Sequence, residues 1–312
     1  MQSSVQILLA TYNGEKFLRE QLDSLLNQTF QDFTVLIRDD GSTDATLKII
    51  EEYQQKHQAQ INLIKDDKQN VGVTQNFNLL LEKSTADYLF FCDQDDVWLN
   101  EKIELSLKKI QSLEAKNHST PCMIYSDMKA IDEQGNITSD SVWQQLKLHP
   151  KYFTLNRLLV QNIPHGCTMV INKAMRNLAF PIPIDAILHD HWIALLAVTT
   201  GKFVAIETPL VLLRNHGENV TRKKSSFTEK LKRLVGNFLS KDEYEYFIKI
   251  RVTQAKALLG NPKNHLNKLQ IETIQHFIQL ESTRGFSRKK LFLQYKFFRT
   301  TFWHTLKMIT RA

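Results

Sequence analysis

The sequence is poor in residues that break or cross-link a chain, with 10 glycines, 7 prolines and 3 cysteines in 312 residues. So little Gly and Pro excludes collagen-like and low-complexity chains. Cys92, Cys122 and Cys167 are odd in number, far apart and each set in an apolar run. That pattern speaks against a disulfide framework or a cysteine metal site, and for reduced, buried thiols in a cytosolic protein. Long apolar runs are also missing. Stretches such as Ile193 to Val198 fall well short of the roughly 18 residues that a membrane-spanning helix needs. The opening Met-Gln-Ser-Ser lacks the basic region of a secretory signal, so none is expected. The expectation is a chain that does not span a membrane but is free to lie on one.

What is present is ordinary for a soluble globular protein: 42% hydrophobic and 23% charged residues. The length suits one large domain, or a domain plus an appendage. The net charge of +7 is unevenly divided. Residues 1–221 hold 20 Lys+Arg against 27 Asp+Glu, whereas residues 222–312 hold 20 against 6. An acidic body therefore carries a basic tail, and the two parts are expected to meet different partners.

Apolar periodicity predicts strands at 5–10, 33–38, 61–65 and 88–92, with helices over 15–27, after Thr43 or Asp44, and over 74–83. Strands alternating with helices at this pace indicate βαβ units and an α/β fold around a parallel sheet. Beyond 122 the pattern is mixed, with strand-like pieces at 122–126, 167–172 and 202–213. In such sheets ligands bind past the carboxyl ends of the strands, which is where Thr11, Asp40 and Asp93-Gln94-Asp95-Asp96 fall.

Three carboxylates within four residues repel one another unless a cation neutralises them. Oxygen ligands at a strand end suit Mg²⁺ or Mn²⁺ bound together with substrate phosphates. The same residues also read as an acidic turn capping the next helix. Arg38-Asp39-Asp40-Gly41-Ser42-Thr43-Asp44 offers carboxylates to a pyrimidine or ribose, or is a plain capped turn. In Leu188-His189-Asp190-His191-Trp192, Asp190 starts a helix as a general base or as an N-cap before a core Trp. His216, in Arg214-Asn215-His216-Gly217-Glu218-Asn219, has the chemistry to complete a metal or diphosphate shell, and Arg214 to face phosphate. Each piece alone leaves its bland alternative open.

Read in order, with Ala10-Thr11-Tyr12-Asn13 and Asn70-Val71-Gly72 included, these pieces closely resemble the motifs of glycosyltransferase family 2 over about residues 4–221. The Asp-Gln-Asp-Asp-Val-Trp and His-Asp-His-Trp variants look most like rhamnosyltransferases of bacterial cell-surface polysaccharide synthesis. The resemblance implies a GT-A fold, a Rossmann-like mixed sheet flanked by helices, and an inverting single displacement with Mg²⁺ or Mn²⁺. It implies Thr11 and Asp40 at the nucleoside, assisted by Asp39, and Asp93 at the donor sugar. Asp95 and His216 would hold the metal, and Asp190 would be the catalytic base. His189, Trp98, Trp192 and Arg214 would shape the substrate pocket. The donor implied is dTDP-β-L-rhamnose and the acceptor a lipid-linked saccharide. His189 departs from the Glu that many members place beside the base, which leaves the pKa of Asp190 open.

The domain boundary is expected at about 221, with a catalytic domain over 1–221 and a basic helical extension over 222–312. Two stripes are predicted there: Phe227, Leu231, Leu234, Val235 and Phe238, then Leu291, Tyr295, Phe298, Phe302, Leu306 and Ile309. Surrounded by Lys and Arg, they fit an anchor on anionic lipid at the cytoplasmic face of the cell membrane. The alternative is packing on the catalytic domain or on another copy of the chain as a homo-oligomer. No nucleic-acid-binding module is present, so that partner is not expected. Two rival functions are an aspartyl-phosphate phosphohydrolase using Asp93, and a non-catalytic membrane scaffold. The first expects its motif on the first strand.

Overall fold

The computed structural model describes residues 4–114, 119–217 and 241–312. Its strands are β1 (Val5–Thr11), β2 (Thr34–Asp39), β3 (Ile61–Leu63), β4 (Tyr88–Asp93), β5 (Val97–Trp98), β6 (Cys122–Ile131), β7 (Ile137–Ser139), β8 (Val170–Asn172) and β9 (Lys202–Arg214). They form one sheet in the order β3-β2-β1-β4-β8-β6-β9-β5, with β7 paired to β6. Strands β1 to β4 run parallel, β8 is antiparallel to β4 and β6, and β5 is antiparallel to β9. This is the mixed α/β sheet of the GT-A type.

The helices are α1 (Leu18–Leu26), α2 (Thr46–Lys56), α3 (Val73–Lys83), α4 (Lys102–Glu114), α5 (Val142–Leu146), α6 (Leu155–Leu158), α7 (Lys173–Ala179), α8 (His189–Thr199), α9 (Lys241–Gly260), α10 (Lys268–Ile278), α11 (Gly285–Gln294) and α12 (Phe302–Thr310). The near-continuous apolar reading of β1 arises because both of its faces are covered. Ile7 and Leu9 meet Leu22, Ile50 and Ile103 on one side; Leu8 and Ala10 meet Phe77, Leu80 and Trp192's cluster on the other. Alternate residues of one strand thus serve two cores.

Several expected boundaries shift for local reasons. Helix α2 begins at Thr46, and Asp44 anchors it by accepting from the Thr46 N–H (2.9 Å) and hydroxyl (2.5 Å). The strand expected over 167–172 starts only at Val170, because Gly166–Thr168 is a 3-10 turn with the Thr168 hydroxyl on His165 O (2.8 Å). The three cysteines are buried and unpaired.

The described part of the basic tail packs on the body. Phe277, Leu280, Phe292, Phe297 and Met308 join the cluster that contains Trp192 and Ile193. Arg251 Nε donates to Val160 O (2.6 Å), Ile187 N to Gln254 Oε1 (2.8 Å) and Asn156 Nδ2 to Tyr295 O (2.5 Å). The second predicted stripe is therefore not one continuous helix. Lys296, at φ +51°, turns the chain between α11 and α12, and the Thr301 hydroxyl caps the new helix on His304 N (3.2 Å). Leu291, Tyr295 and Ile309 are half-buried against the core, whereas Phe302 and Leu306 face out. The 227–238 stripe and the boundary near 221 lie outside the described residues. Among the described residues no helix is long and apolar enough to cross a membrane.

Candidate active site

Parallel register brings the chemistry to one edge. Thr11 pairs with Asp39 across β1 and β2, and Ala10 with Asp93 across β1 and β4, so three strand ends finish side by side. They open into a cleft of about 730 Å³ whose walls include Thr11, Asp40, Asp93, Asp95, Asp190 and His216. Sequence positions more than 200 residues apart thus share one cavity.

On the β2 side, Asp40 lines the cleft and is buried. Its carboxylate accepts from Arg38 Nη1 (3.1 Å), Val71 N (3.0 Å) and Gly72 N (2.9 Å). Gly72 sits at φ +81°, a conformation that favours glycine, which explains the Asn70-Val71-Gly72 motif. Arg38 is itself clamped by Asp66 (2.9 and 3.0 Å) and by Asn76 Oδ1 (3.1 Å). Asp39 differs from expectation. It does not line the cleft, because its oxygens accept from the Thr11 hydroxyl (2.8 Å), Gly41 N (3.1 Å) and Ser42 N and Oγ (2.7 and 2.6 Å). It holds the loop that presents Asp40.

The acidic turn follows β4. Gln94 fastens it to the end of β1, accepting from Tyr12 N (2.8 Å) and donating to Tyr12 O (2.9 Å). Asp95 Oδ2 and His216 Nε2 lie 2.7 Å apart although 121 residues separate them. Asp96 is buried and accepts from Arg214 N (3.0 Å), and Cys167 adds a side-chain hydrogen bond. Burial, then the neighbouring Asp96, Asp95 and Asp190, push the Asp93 carboxyl well above the usual carboxylate range. Burial first and Asp95 second push Asp96 up to about 7. Buried Lys102, stacked over Trp98 at 3.8 Å, is lowered by desolvation to about 8. Asp93, Asp95, Asp96 and Asp190 thus crowd one region, where burial and like charge favour taking up a proton or a cation.

Two donor sets are available to a divalent cation. Asp95 and His216 both line the cleft. Asp93, Asp96 and Cys167 place one donor each within 4.8 Å of one another. The second set contains the Cys167 thiol, a soft sulfur ligand that suits Mg²⁺ or Mn²⁺ poorly. An oxygen-seeking ion beside phosphate fits the first set better, with Asp93 alongside.

Asp190 sits in the first turn of α8, facing the same cleft. It accepts from Gly166 N (3.1 Å) and His191 N (2.6 Å), and Asn162 adds a side-chain hydrogen bond. Burial outweighs these donors and raises its pKa to about 6. His189 lines the cleft with its ring 3.9 Å from Phe77 and 5.3 Å from Phe91. Neither ring nitrogen has a hydrogen-bond partner among the described residues, and desolvation lowers its pKa to about 3. A neutral His189 therefore leaves the Asp190 pKa to burial and hydrogen bonding. Gly166 admits this arrangement, since a Cβ there would stand 2.7 Å from His189 Nε2.

Three expected pocket residues lie elsewhere. Trp98 and Trp192 are each 1% exposed and belong to the core; neither lines the cleft, and Trp192 Nε1 donates to Ala179 O (3.1 Å). Apolar aromatic faces were buried rather than offered to a sugar. Arg214 is buried and directs its guanidinium to Asp95 O (3.1 Å) and Glu20 Oε2 (2.5 Å), so it braces the acidic turn instead of lining the cleft. Conversely, Asn76, Lys102, Asn162 and Gly166 escape a sequence reading, because their positions depend on tertiary contacts. Gln94 alone carried a signal, lying inside the acidic motif.

The sequence matches the profile of Glycosyl transferase family 2 over residues 6–178. It is 30% identical over 243 residues to the dTDP-rhamnosyl transferase RfbG of Shigella flexneri, covering 72% of this chain and 78% of that one. Among solved structures it is similar to S. aureus TarS 1-349 in complex with UDP-GlcNAc, with a TM-score of 0.60 at 17% identity over 94% and 80% of the two chains. It is also similar to the mannosyltransferase PcManGT from Pyrobaculum calidifontis in complex with GDP-Man and Mn²⁺, with a TM-score of 0.53 at 15% identity over 100% and 86%.

Proposed function

The chain belongs to glycosyl transferase family 2, and from that premise we propose that it moves L-rhamnose from dTDP-β-L-rhamnose, with inversion, onto a hydroxyl of a lipid-linked saccharide. The observation that carries glycosyl transfer at this site is a single cleft shared by Asp40, the Asp93–Asp96 turn and Asp190. The choice of rhamnose is supported by the similarity to RfbG, described as a dTDP-rhamnosyl transferase, over most of both chains.

The residues divide the work by position. Thr11 and Asp40, at the ends of β1 and β2, hold the nucleoside, and Asp39 keeps their loop in place. Asp95 and His216 would hold Mg²⁺ or Mn²⁺ beside the diphosphate, with Asp93 facing the donor sugar. When bound, the ion offsets the negative charge that gathers on the departing nucleoside diphosphate. Asp190 accepts the proton of the acceptor hydroxyl as that oxygen bonds to the anomeric carbon and the carbon–diphosphate bond breaks. Attack from the opposite face converts the β-linked donor into an α-linked product. A carboxylate with a pKa of about 6 is ionised at neutral pH, yet more basic than an ordinary one. The phosphohydrolase alternative fails on topology, since its motif would end the first strand and Asp93 ends β4.

A thermal-shift screen of nucleotide sugars with and without Mn²⁺ tests the donor assignment. The largest stabilisation is expected with dTDP-rhamnose plus metal. A larger shift with UDP-GlcNAc or GDP-mannose would replace rhamnose while keeping glycosyl transfer. No shift with any nucleotide sugar would remove both.

A further inference from the structure

The outer face of the last two helices is the least explained surface of the molecule. On α11, Phe286, Lys289, Lys290 and Leu293 follow the i, i+3, i+4, i+7 spacing of one helical face, and they line a shallow concavity with Ile309 of α12. On α12, Phe302, Trp303 and Leu306 are exposed as well, and Phe302 and Leu306 stand seven and three residues before Ile309, on the same helical face. The exposures are 83% for Phe286, 57% for Leu293, 70% for Phe302 and 69% for Trp303. Large side chains left so far out, while Phe292 and Met308 on the opposite faces are fully buried, make these helices apolar on both sides. Such a patch marks an interaction surface.

Charge identifies the partner. Residues 285–312 contain seven Lys and Arg and no Asp or Glu. Arg288 turns inward to Glu245. Lys290, Lys296 and Arg311 are exposed, and none of them forms an ion pair among the described residues. We propose that the α11–α12 face, with Phe286, Leu293, Phe302 and Trp303 inserted and Lys289, Lys290, Lys296 and Arg311 around them, docks on an anionic lipid bilayer. Aromatic and aliphatic side chains enter the headgroup boundary while the basic residues meet anionic lipid. A second copy of the chain fits less well, because a symmetric contact would bring two basic rims together. The proposal concerns a surface apart from the cleft, so it stands or falls independently of glycosyl transfer.

Removing residues 286–312 is a poor test, since it would strip Phe292, Phe297 and Met308 from the core. Exposed substitutions are better. Trp98, Trp143 and Trp192 are buried and Trp303 is exposed, so a vesicle-induced blue shift of tryptophan emission reports this face. The full chain is expected to co-sediment with phosphatidylglycerol–phosphatidylcholine vesicles, with such a shift, and to do so weakly with pure phosphatidylcholine. Binding should fall about tenfold in a Phe302→Ser, Trp303→Ser double variant and be reduced at about 0.5 M salt. Donor turnover in solution should be unchanged in that variant. Three results would overturn the proposal: no binding to anionic vesicles, equal binding by the folded double variant, or a vesicle-free dimer that the double substitution dissolves.

Discussion

Replacing Asp190 by Asn is expected to lower kcat for sugar transfer by about 10³-fold, within the range that a positioned general base contributes. Donor binding should stay near the wild-type value, because Asp190 acts on the acceptor. The pH dependence gives a second readout. Desolvation lifts the Asp190 carboxyl from the ordinary 3.8 to about 6, against the opposing hydrogen bonds from His191, Gly166 and Asn162. The base is thus protonated and inactive below that pH and gains activity as pH rises through it. Wild-type kcat/KM should show an acid limb near 6, and the residual activity of Asp190→Asn should lack it. Rate measurements from pH 5 to 8 at fixed donor, with circular dichroism to confirm folding, decide the matter. Wild-type rates in the variant would remove Asp190 from the mechanism.

Replacing Asp95 by Ala should abolish the metal's stimulation of donor binding. If the ion supplies several kcal/mol of charge stabilisation, transfer falls by on the order of 10³-fold or more. The His216→Ala variant should move in the same direction, since His216 Nε2 stands 2.7 Å from the Asp95 carboxylate. The fold should survive, because the acidic turn is also fixed by Gln94 on Tyr12 and by Asp96 on Arg214 N. Calorimetric titration of donor with and without Mn²⁺ reads the difference. Unchanged metal-stimulated binding in Asp95→Ala would transfer the ligand role to Asp93 and Asp96.

Much of this cleft was legible in the sequence, because strand ends in a parallel sheet converge. An apolar run followed by Thr11, by Asp39-Asp40 or by Asp93 to Asp96 reveals both the strand and what stands at its tip. Long-range placement was less legible. Asp190 reaches the cleft because α8 begins there, and His216 because β9 returns beside the acidic turn. Neither fact is written in local periodicity; both needed the ordered family motifs. The errors share a cause. Trp98, Trp192 and Arg214 sit inside or beside the right motifs, but a motif does not say which way a side chain faces. The aromatic rings found the core, and the guanidinium found carbonyls and Glu20. In the tail, helical spacing identified apolar positions without distinguishing burial from display. Of the predicted stripe, Leu291 and Tyr295 pack against the core and Phe302 and Leu306 remain exposed, while the fully buried Phe292 and Phe297 and the exposed Trp303 fall outside it.

The most direct test of the central claim is the anomeric configuration of the first glycoside formed. Wild-type protein with dTDP-β-L-rhamnose, Mn²⁺ and a panel of saccharide acceptors would be followed by NMR, beside the Asp190→Asn variant. A new α-L-rhamnoside that appears with the wild type and is all but absent with the variant is the predicted result. A β-linked product, or an α-linked product formed equally fast by Asp190→Asn, would contradict the account.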